Sequence, residues 1–340
     1  MRRSPASVKV LVDLGAEYGV RADHLLRGTG IEVGALAAAD GEIEAEQELG
    51  VIRNLLRELP DAPGLGLRAG AQYHLTTHGL WGFALISSPD LRSAIDFGLR
   101  YLDLTFAFNR ISFEERAGEG RMILDDTAVA EDVRRFLVER EGASIMTLQR
   151  ELFSAAIPLL RVEVRFPAPE YAERYEEVFG VRPRFDAGRN LAAFGAAVLD
   201  LPLPQANELT ASLCEQECRA LLDRRRQRSG VAGQVRALLV PRAGTVAAME
   251  EVCRSLHVTP RTLRRRLERE GTTFRALLAE TRLALAEQWL CDNAMTVEEI
   301  ASRLGYAEAA SFHRAFARQR GMAPGAFRKQ QQGGQRGVVA

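Results

Sequence analysis

The sequence is poor in cysteine and lacks any long apolar run, and each scarcity excludes a class of protein. Its four cysteines contain no Cys-x-x-Cys pair and indicate no disulfide framework. No stretch approaches the roughly 18 consecutive apolar residues that a membrane helix requires. Asp13 and Glu17 interrupt the first apolar run, which disfavours a secretory signal. We therefore expect a cytoplasmic protein without a membrane partner.

Metal-ligating residue types are also sparse. Cys214 and Cys218 lie four positions apart, as do His74 and His78. A structural zinc site takes four ligands, and no His or further Cys lies near the cysteine pair in the sequence. We predict no metal and no cofactor, and expect the cysteines to be small buried apolar residues.

The charge is unevenly distributed along the 340 residues, a length that favours two domains. Residues 1–222 carry 24 basic and 34 acidic side chains, whereas residues 223–340 carry 21 basic and 11 acidic ones. Lys9 and Lys329 are the only lysines, so arginine supplies nearly all of the basic charge. A basic half is typical of nucleic-acid contact, although a solvated charged surface has the same composition.

The first part of the chain mixes helical and strand periodicities and predicts an α+β domain with a mostly antiparallel sheet. Helices are predicted after Ser4-Pro5, within Glu44–Leu59, from Ser88-Pro89, and over Asp132–Leu152 and Pro169–Phe179. Alternating apolar residues predict strands over Leu104–Phe113 (with a bulge after Phe108), Arg121–Asp125, Leu160–Phe166 and Arg184–Phe194.

Changes in composition and the positions of proline and glycine divide the chain into four segments. Leu201-Pro202-Leu203-Pro204 closes the first domain, assigned to residues 1–205. Residues 206–230 read as a linker helix that ends in an arginine cluster. Residues 231–330 read as all-α, and the polar Gln/Gly segment 331–340 predicts a disordered tail.

An internal repeat lies within the basic half. Val252–Thr259 matches Ile300–Ala307 at a spacing of 48 residues, and after one inserted residue Leu263–Leu267 matches Phe312–Phe316 at 49. We call these segments copy 1 (residues 252–267) and copy 2 (residues 300–316). Each reads as a short helix, a tight turn and a second helix, which is the helix-turn-helix pattern.

The residue types at the key positions of each copy suit this motif. Cys253 and Ala301 supply the small residue where the two helices touch. Gly305 supplies the turn of copy 2; copy 1 has His257 there, which tolerates left-handed dihedrals less well than glycine. Thr259-Pro260 gives the second helix of copy 1 a cap and a favourable first residue.

The second helix of copy 1 presents basic residues on the side opposite its apolar row. Arg261, Arg264, Arg265 and Arg266 lie there, and the planar guanidinium matches the O6/N7 edge of guanine. A solvated helix face is one alternative, and contact with phosphates rather than bases is another.

The segment Thr245–Arg328 resembles the DNA-binding domain of AraC/XylS-type transcription regulators. The resemblance rests on three runs: Thr259–Leu267 with Glu270-Gly271; Ile300-Ala301 with Leu304-Gly305-Tyr306; and Ser311–Phe316 with Gly321, Pro324 and Phe327-Arg328. Carried over by position, it implies that eight residues contact double-stranded DNA: Arg261, Thr262, Arg264, Arg265, Ala310, Ser311, His313 and Arg314. A connecting helix, about Phe274–Cys291, would place the two second helices one turn of DNA apart.

The first domain resembles the effector-sensing domain of the AraC subgroup that includes ornithine-responsive regulators, rather than the subgroup with a sugar-binding β-barrel. Tyr73–Ser88 followed by Pro89-Asp90-Leu91 carries this resemblance. It implies a small-molecule effector and a homodimer. Candidate effector-binding residues are His78, Trp81, Tyr101, Phe106, Phe108 and Arg110, for which an ordinary core role is the alternative.

We therefore expect a ligand-responsive, sequence-specific transcription regulator, an activator that contacts RNA polymerase, and not an enzyme. The alternative is an alkyltransferase-like repair enzyme fused to the same DNA-binding module. That chemistry requires a nucleophilic cysteine in the first half, and residues 1–213 contain none. A third reading, an interaction module without DNA binding, conflicts with the intact arginine face.

Overall fold

A computed structural model describes residues 2–37, 41–153, 157–228, 230–239, 246–292 and 295–336. The chain divides into two compact units, Met1–Asp223 (the first unit) and Arg224–Ala340 (the second unit). Each is described by itself. No helix within the described ranges is both long and apolar enough to cross a bilayer.

The first unit begins with a helical layer. Strands β1 (Arg2–Arg3) and β2 (Ile43–Glu44) pair antiparallel and bring helix α1 (Ala6–Glu17) beside α3 (Ala45–Glu58), with α2 (Ala22–Leu26) between them in the chain. The apolar stripes of these helices form a common core that includes Val8, Leu11, Leu14, Ile52 and Leu55.

The long helix α7 is the centre of the first unit. Helices α4 (Leu65–Ala71), α5 (Leu80–Ile86) and α6 (Leu91–Arg100) precede α7 (Glu131–Phe153). Helices α4 and α7 approach closely because α4 has glycine at the contact. A Cβ on Gly66 would lie 2.6 Å from the Phe136 carbonyl oxygen, and one on Gly70 would lie 2.3 Å from that of Arg140.

A four-stranded antiparallel sheet completes the first unit. Its strands are β3 (Arg110–Arg116), β4 (Glu119–Asp125), β5 (Leu159–Glu163) and β6 (Asn190–Gly195), in the order β3-β4-β6-β5. Helix α8 (Glu173–Phe179) lies between β5 and β6 in the chain. An irregularity in the ladder occurs between Leu159 and Arg161 of β5, not beside Phe108.

The predicted strand over Leu104–Phe108 and its bulge are wrong. A 3₁₀ turn covers Leu102–Leu104 and irregular chain follows until β3 begins at Arg110. Side chains of α7 supply the hydrogen bonds that a strand neighbour would have supplied. Arg140 Nη2 donates to the Phe106 carbonyl at 2.7 Å, and the Glu141 carboxylate accepts from the Phe108 amide at 2.8 Å. The alternation therefore reflects burial of a loop.

Helix α9 (Glu208–Arg228) covers most of the segment predicted as a linker, but its first part belongs to the first unit. Cys214, Cys218 and Leu222 are buried in the core of that unit. Burial raises the pKa of the Cys218 thiol to about 11. These two cysteines are the small apolar residues that the sequence predicts, whereas Cys291 is exposed.

The second unit is entirely helical where it is described. Its helices are α10 (Gly230–Leu239), α11 (Met249–Ser255), α12 (Pro260–Arg269), α13 (Phe274–Cys291), α14 (Val297–Arg303), α15 (Ala309–Arg320) and α16 (Pro324–Arg336). Helices α11 and α12 form copy 1, and α14 and α15 form copy 2. The predicted fold class, an α+β first unit and an all-α second unit with two helix-turn-helix motifs, is confirmed.

Each copy has its own small core, and α13 contributes to both. Leu277 of α13 packs with Val252, Leu263 and Leu267 in copy 1. Ala286 and Leu290 of the same helix pack with Ile300, Phe312 and Phe316 in copy 2. The last helix extends to Arg336, into the segment predicted as a disordered tail. Gly337–Ala340 lie outside the described residues.

Candidate functional site

The turns of the two copies have the same hydrogen-bond pattern at the repeat spacing of the sequence. In copy 1 the amide of His257 donates to the Arg254 carbonyl at 3.1 Å, and that of Val258 donates to Cys253 at 3.0 Å. In copy 2 Gly305 donates to Ser302 at 2.9 Å, and Tyr306 donates to Ala301 at 3.0 Å. This pattern requires a left-handed residue after the helix. His257 has φ 51° and Gly305 has φ 76°, as the sequence predicts.

The helix starts are fixed by side-chain caps. Thr259 accepts from the Thr262 amide at 3.2 Å, with Pro260 in the first turn of α12. Thr296 caps α14 by accepting from the Glu299 amide at 3.1 Å, and the Glu299 carboxylate accepts from the Thr296 amide at 2.7 Å. The cap at Thr259 determines where α12 begins, and hence which residues lie on its outer face.

The outer face of α12 is a row of unpaired guanidinium groups. Arg261, Arg264 and Arg265 are exposed, and together with Thr262 and Glu268 they line one open groove. Within the described part of the chain none of these three arginines forms an ion pair. Leu263 and Leu267 are fully buried on the opposite side. The face can therefore offer bidentate donors and positive charge to an anionic partner.

The corresponding face of α15 is smaller and less charged. Ala310 and Arg314 are exposed, whereas Ser311 and His313 are half-buried. Arg314 Nη2 donates to Ser311 Oγ at 3.1 Å, a bond that orients the guanidinium along the helix. All eight residues that the sequence singles out thus lie on the two second helices, four on each.

Arg282 of helix α13 contacts the turn of copy 2. The Arg282 guanidinium carbon lies 4.7 Å from the centre of the Tyr306 ring, and Nη2 donates to the Gly305 carbonyl at 3.2 Å. This side chain therefore secures the turn of copy 2 against the connecting helix. An α-helix of 18 residues is about 27 Å long, shorter than the roughly 34 Å of one turn of B-DNA.

Glu270 ties copy 1 to α10. Its carboxylate accepts from the amides of Val231 and Ala232 at 2.9 and 2.8 Å, so it caps the first turn of α10. An anionic group at a helix start satisfies free amides and interacts well with the helix dipole. The sequence marks Glu270 by resemblance alone, and the structure shows its role.

The first unit contains two neighbouring cavities between α7, α6 and the sheet. The larger, which we call the apolar chamber, has a volume of about 150 Å³. The smaller, which we call the histidine pocket, has a volume of about 60 Å³. Five residues contribute to the walls of both: Trp81, Leu102, Ile111, Ile145 and Leu148.

His78 lies in the histidine pocket with both ring nitrogens buried and without a hydrogen-bond partner among the described residues. Its ring centre lies 5.0 Å from that of Trp81 and 5.3 Å from that of Phe106. Burial, and to a lesser extent the charge of Arg140, lowers the pKa of His78 to about 4. The imidazole is therefore neutral at physiological pH.

A buried charge cluster forms the floor of this pocket. Arg140 donates through Nη1 to Glu48 at 2.8 Å and through Nη2 to Glu141 at 3.3 Å. Arg3 donates to the other Glu48 oxygen at 3.2 Å. Sequence reasoning missed these residues because charged residues ordinarily face solvent, and nothing local marks them as buried.

The six candidate effector residues separate into two groups. His78, Trp81 and Phe106 line the cavities. Tyr101 instead donates to Glu215 of α9 at 3.3 Å, Phe108 lies beneath Arg3, and Arg110 is exposed at the start of β3. The last three are absent from both cavity walls. Within the described ranges, no three acidic, histidine or cysteine side chains come together as metal ligands would.

Comparisons with known proteins match the two parts of the chain to two different families. Residues 19–203 match the family described as the arabinose-binding domain of the AraC transcription regulator, and residues 252–330 match a helix-turn-helix domain family. An uncharacterized helix-turn-helix-type transcriptional regulator of Mycobacterium tuberculosis is 34% identical, over 96% of each chain. The ornithine utilization regulator of Pseudomonas aeruginosa is 32% identical, over 95% of each. The urease operon transcriptional activator of Escherichia coli is 39% identical over 24% of this chain and 28% of its own.

Proposed function

The chain belongs to the AraC family of transcription regulators, and we propose that α12 and α15 read its operator while the first unit senses a small molecule. A ligand-responsive, DNA-binding transcription regulator is the function predicted from the sequence, and the family confirms it. The proposal adds which residues contact DNA and which unit performs sensing and which performs DNA binding.

The observation that carries the DNA-contact assignment is the unpaired arginine face of α12, repeated in reduced form on α15. We assign base and phosphate contacts to Arg261, Thr262, Arg264 and Arg265 in copy 1. In copy 2 we assign them to Ala310, Ser311, His313 and Arg314. Guanidinium groups without intramolecular carboxylate partners are available to guanine and to phosphate without first breaking an ion pair.

The test compares Arg265→Ala with Arg266→Ala in the full chain. Both changes remove one exposed arginine from α12, but Arg266 is not on the wall of the groove. The operator is first selected from random duplexes, and affinities are then measured on it and on a shuffled duplex. We expect Arg265→Ala to lose on the order of 1–3 kcal/mol on the operator alone, and Arg266→Ala to lose less and equally on both.

Two outcomes would count against this assignment. Equal weakening of Arg265→Ala on operator and shuffled DNA would demote Arg265 to a phosphate contact. A folded chain without DNA affinity at low salt would contradict the regulator itself, because neutralised phosphates make binding strongest there.

We assign sensing to residues 1–205, dimerisation to those residues together with the first part of α9, and transcriptional activation to the whole chain. The two cavities support sensing. Leu209 and Leu213, one turn apart on α9, are 72% and 55% exposed, and such an apolar stripe beside the sensor supports a homodimer. Sedimentation of the full chain and of Leu213→Glu tests the dimer, which a monomeric wild type would refute.

The assignment of activation is based on the similarity to the urease operon transcriptional activator, and contact with RNA polymerase is the means we propose.

A further inference from the structure

The two cavities of the first unit together indicate the chemistry of the effector. We propose that it is an uncharged, largely apolar molecule, about as large as a substituted benzene ring, whose single hydroxyl or carbonyl group bonds to His78. This inference rests on the proposed function, since it names the ligand class of the sensor described above.

The apolar chamber sets the size and polarity of the ligand body. No charged side chain is among the described residues that line it, and Gln149 alone carries an amide. The indole N–H of Trp81 is already used, since it donates to the Gly98 carbonyl at 3.3 Å. Apolar cavities of about 150 Å³ stay dry and take up benzene. The chamber, at about 150 Å³, therefore suits a single ring or a short branched chain.

His78 sets the polar group. Its two buried nitrogens have no partner among the described residues, and such groups are rare in folded proteins unless a ligand or water completes them. A neutral imidazole has one donor and one acceptor nitrogen. A hydroxyl can serve either nitrogen and a carbonyl can serve the donor. Trp81 lines both cavities and its ring centre lies 5.0 Å from that of His78, so the proposed ligand must extend from the chamber past Trp81 to reach His78.

The charge cluster argues against an ionised ligand. The Arg140 guanidinium is already bonded to Glu48, to Glu141 and to the Phe106 carbonyl. Glu141 in turn accepts from the amides of Phe108 and Asn109 at 2.8 and 3.2 Å. A charged ligand group would be desolvated here without a free counter-ion. L-Ornithine, with three ionised groups, does not suit this site, although a relative is named for its utilisation.

The experiment measures binding of four probes to the full chain: 4-methylphenol, toluene, 4-methylbenzoate and L-ornithine. Trp81 is on both cavity walls and the chain has only two tryptophans. In a Trp289→Phe background, tryptophan fluorescence therefore reports entry into the site, and calorimetry gives the affinities. We expect the two neutral probes to bind and the two ionised probes not to bind.

Variants assign the binding to the two cavities. His78→Leu should weaken 4-methylphenol on the order of three- to tenfold, the loss of one hydrogen bond, and should change toluene less than twofold. Ala94→Leu, which fills the chamber, should weaken both by more than tenfold; if it does not fold, Leu99→Phe on the same wall replaces it. His24→Leu, at a half-buried histidine of α2 that is absent from both cavity walls, is the matched control and should change neither.

Tighter binding of L-ornithine or 4-methylbenzoate than of 4-methylphenol would overturn the inference, and so would failure of both neutral probes to bind. A parallel assay of DNA binding distinguishes failure of the ligand class from failure of the proposed function. A chain that binds DNA but neither neutral probe refutes the ligand class alone, whereas a chain that binds no DNA refutes the proposed function.

Discussion

The turn of copy 1 has a conformation that its residue does not favour, and exchanging the two turn residues should change stability in opposite directions. His257 and Gly305 occupy equivalent left-handed positions. A side chain there costs about 1–2 kcal/mol, whereas the greater freedom of glycine in the unfolded chain costs about 0.5–1 kcal/mol. His257 is exposed and forms no side-chain hydrogen bond within the described residues, so its removal loses little.

We therefore expect His257→Gly to raise the free energy of unfolding of the second unit by about 0.5–1 kcal/mol. Gly305→His should lower it by a similar amount or more, because a Cβ there would lie 3.1 Å from Arg282 Nη2. The signal comes from Trp289, which packs in the core of copy 2, in a Trp81→Phe background. Urea midpoints are compared at constant slope.

A variant carrying both exchanges should return close to the wild-type midpoint. The reasoning would be refuted if His257→Gly were destabilising, since this would mean that the imidazole stabilises the turn more than its backbone conformation costs. An unchanged midpoint for Gly305→His would refute it equally.

Three further predictions concern the buried charges and the capped helix. Glu270→Gln should destabilise the second unit by about 1–2 kcal/mol, measured by urea unfolding, because an anionic cap of α10 becomes a neutral one; Glu268→Gln is the matched control. Arg140→Met should destabilise the first unit by about 3–5 kcal/mol, because it leaves Glu48 and Glu141 buried with less compensation; a loss below about 1 kcal/mol would contradict that role. The pKa of His78 is lowered to about 4 in the folded state, so as the pH falls the unfolded state takes up a proton on this residue before the folded state does. The contribution of His78 to stability is therefore fully present above about pH 6.5 and is lost as the pH falls towards 4. His78→Leu should therefore flatten the fall of the melting temperature over that interval, and an unchanged fall would contradict the prediction.

The second unit could be predicted in detail because its determinants are local. The cap at Thr259, the left-handed residue at His257 and the paired apolar residues Leu263 and Leu267 all act within one or two helical turns. The repeat then doubles each signal at a fixed spacing. A chain that satisfies its backbone groups with near neighbours in sequence leaves a pattern that can be read without the tertiary structure.

The sensor could be predicted only in part because its polar groups are satisfied over long sequence separations. Phe106 and Phe108 alternate as in a strand, but α7 satisfies their backbone through Arg140 and Glu141, more than thirty residues away. A hydrogen bond between residues so far apart in the sequence leaves no periodic pattern of apolar residues from which it could be predicted. Aromatic content singled out His78, Trp81 and Phe106, which line the cavities. It could not separate them from Tyr101, whose hydroxyl bonds instead to Glu215 of α9.

The two second helices are unequal, and under the proposed function this divides their roles. Helix α12 presents three unpaired arginines, whereas on the assigned face of α15 Arg314 is the one arginine, oriented by Ser311 beside the methyl group of Ala310. Phosphate neutralisation gives most of the salt-dependent affinity, so we infer that copy 1 supplies the larger part of it. A small apolar residue next to one fixed guanidinium suits a thymine methyl beside a guanine. Copy 2 then contributes discrimination between base sequences rather than positive charge. Because the connecting helix α13 packs into both cores, the position of each copy on DNA depends on the position of the other.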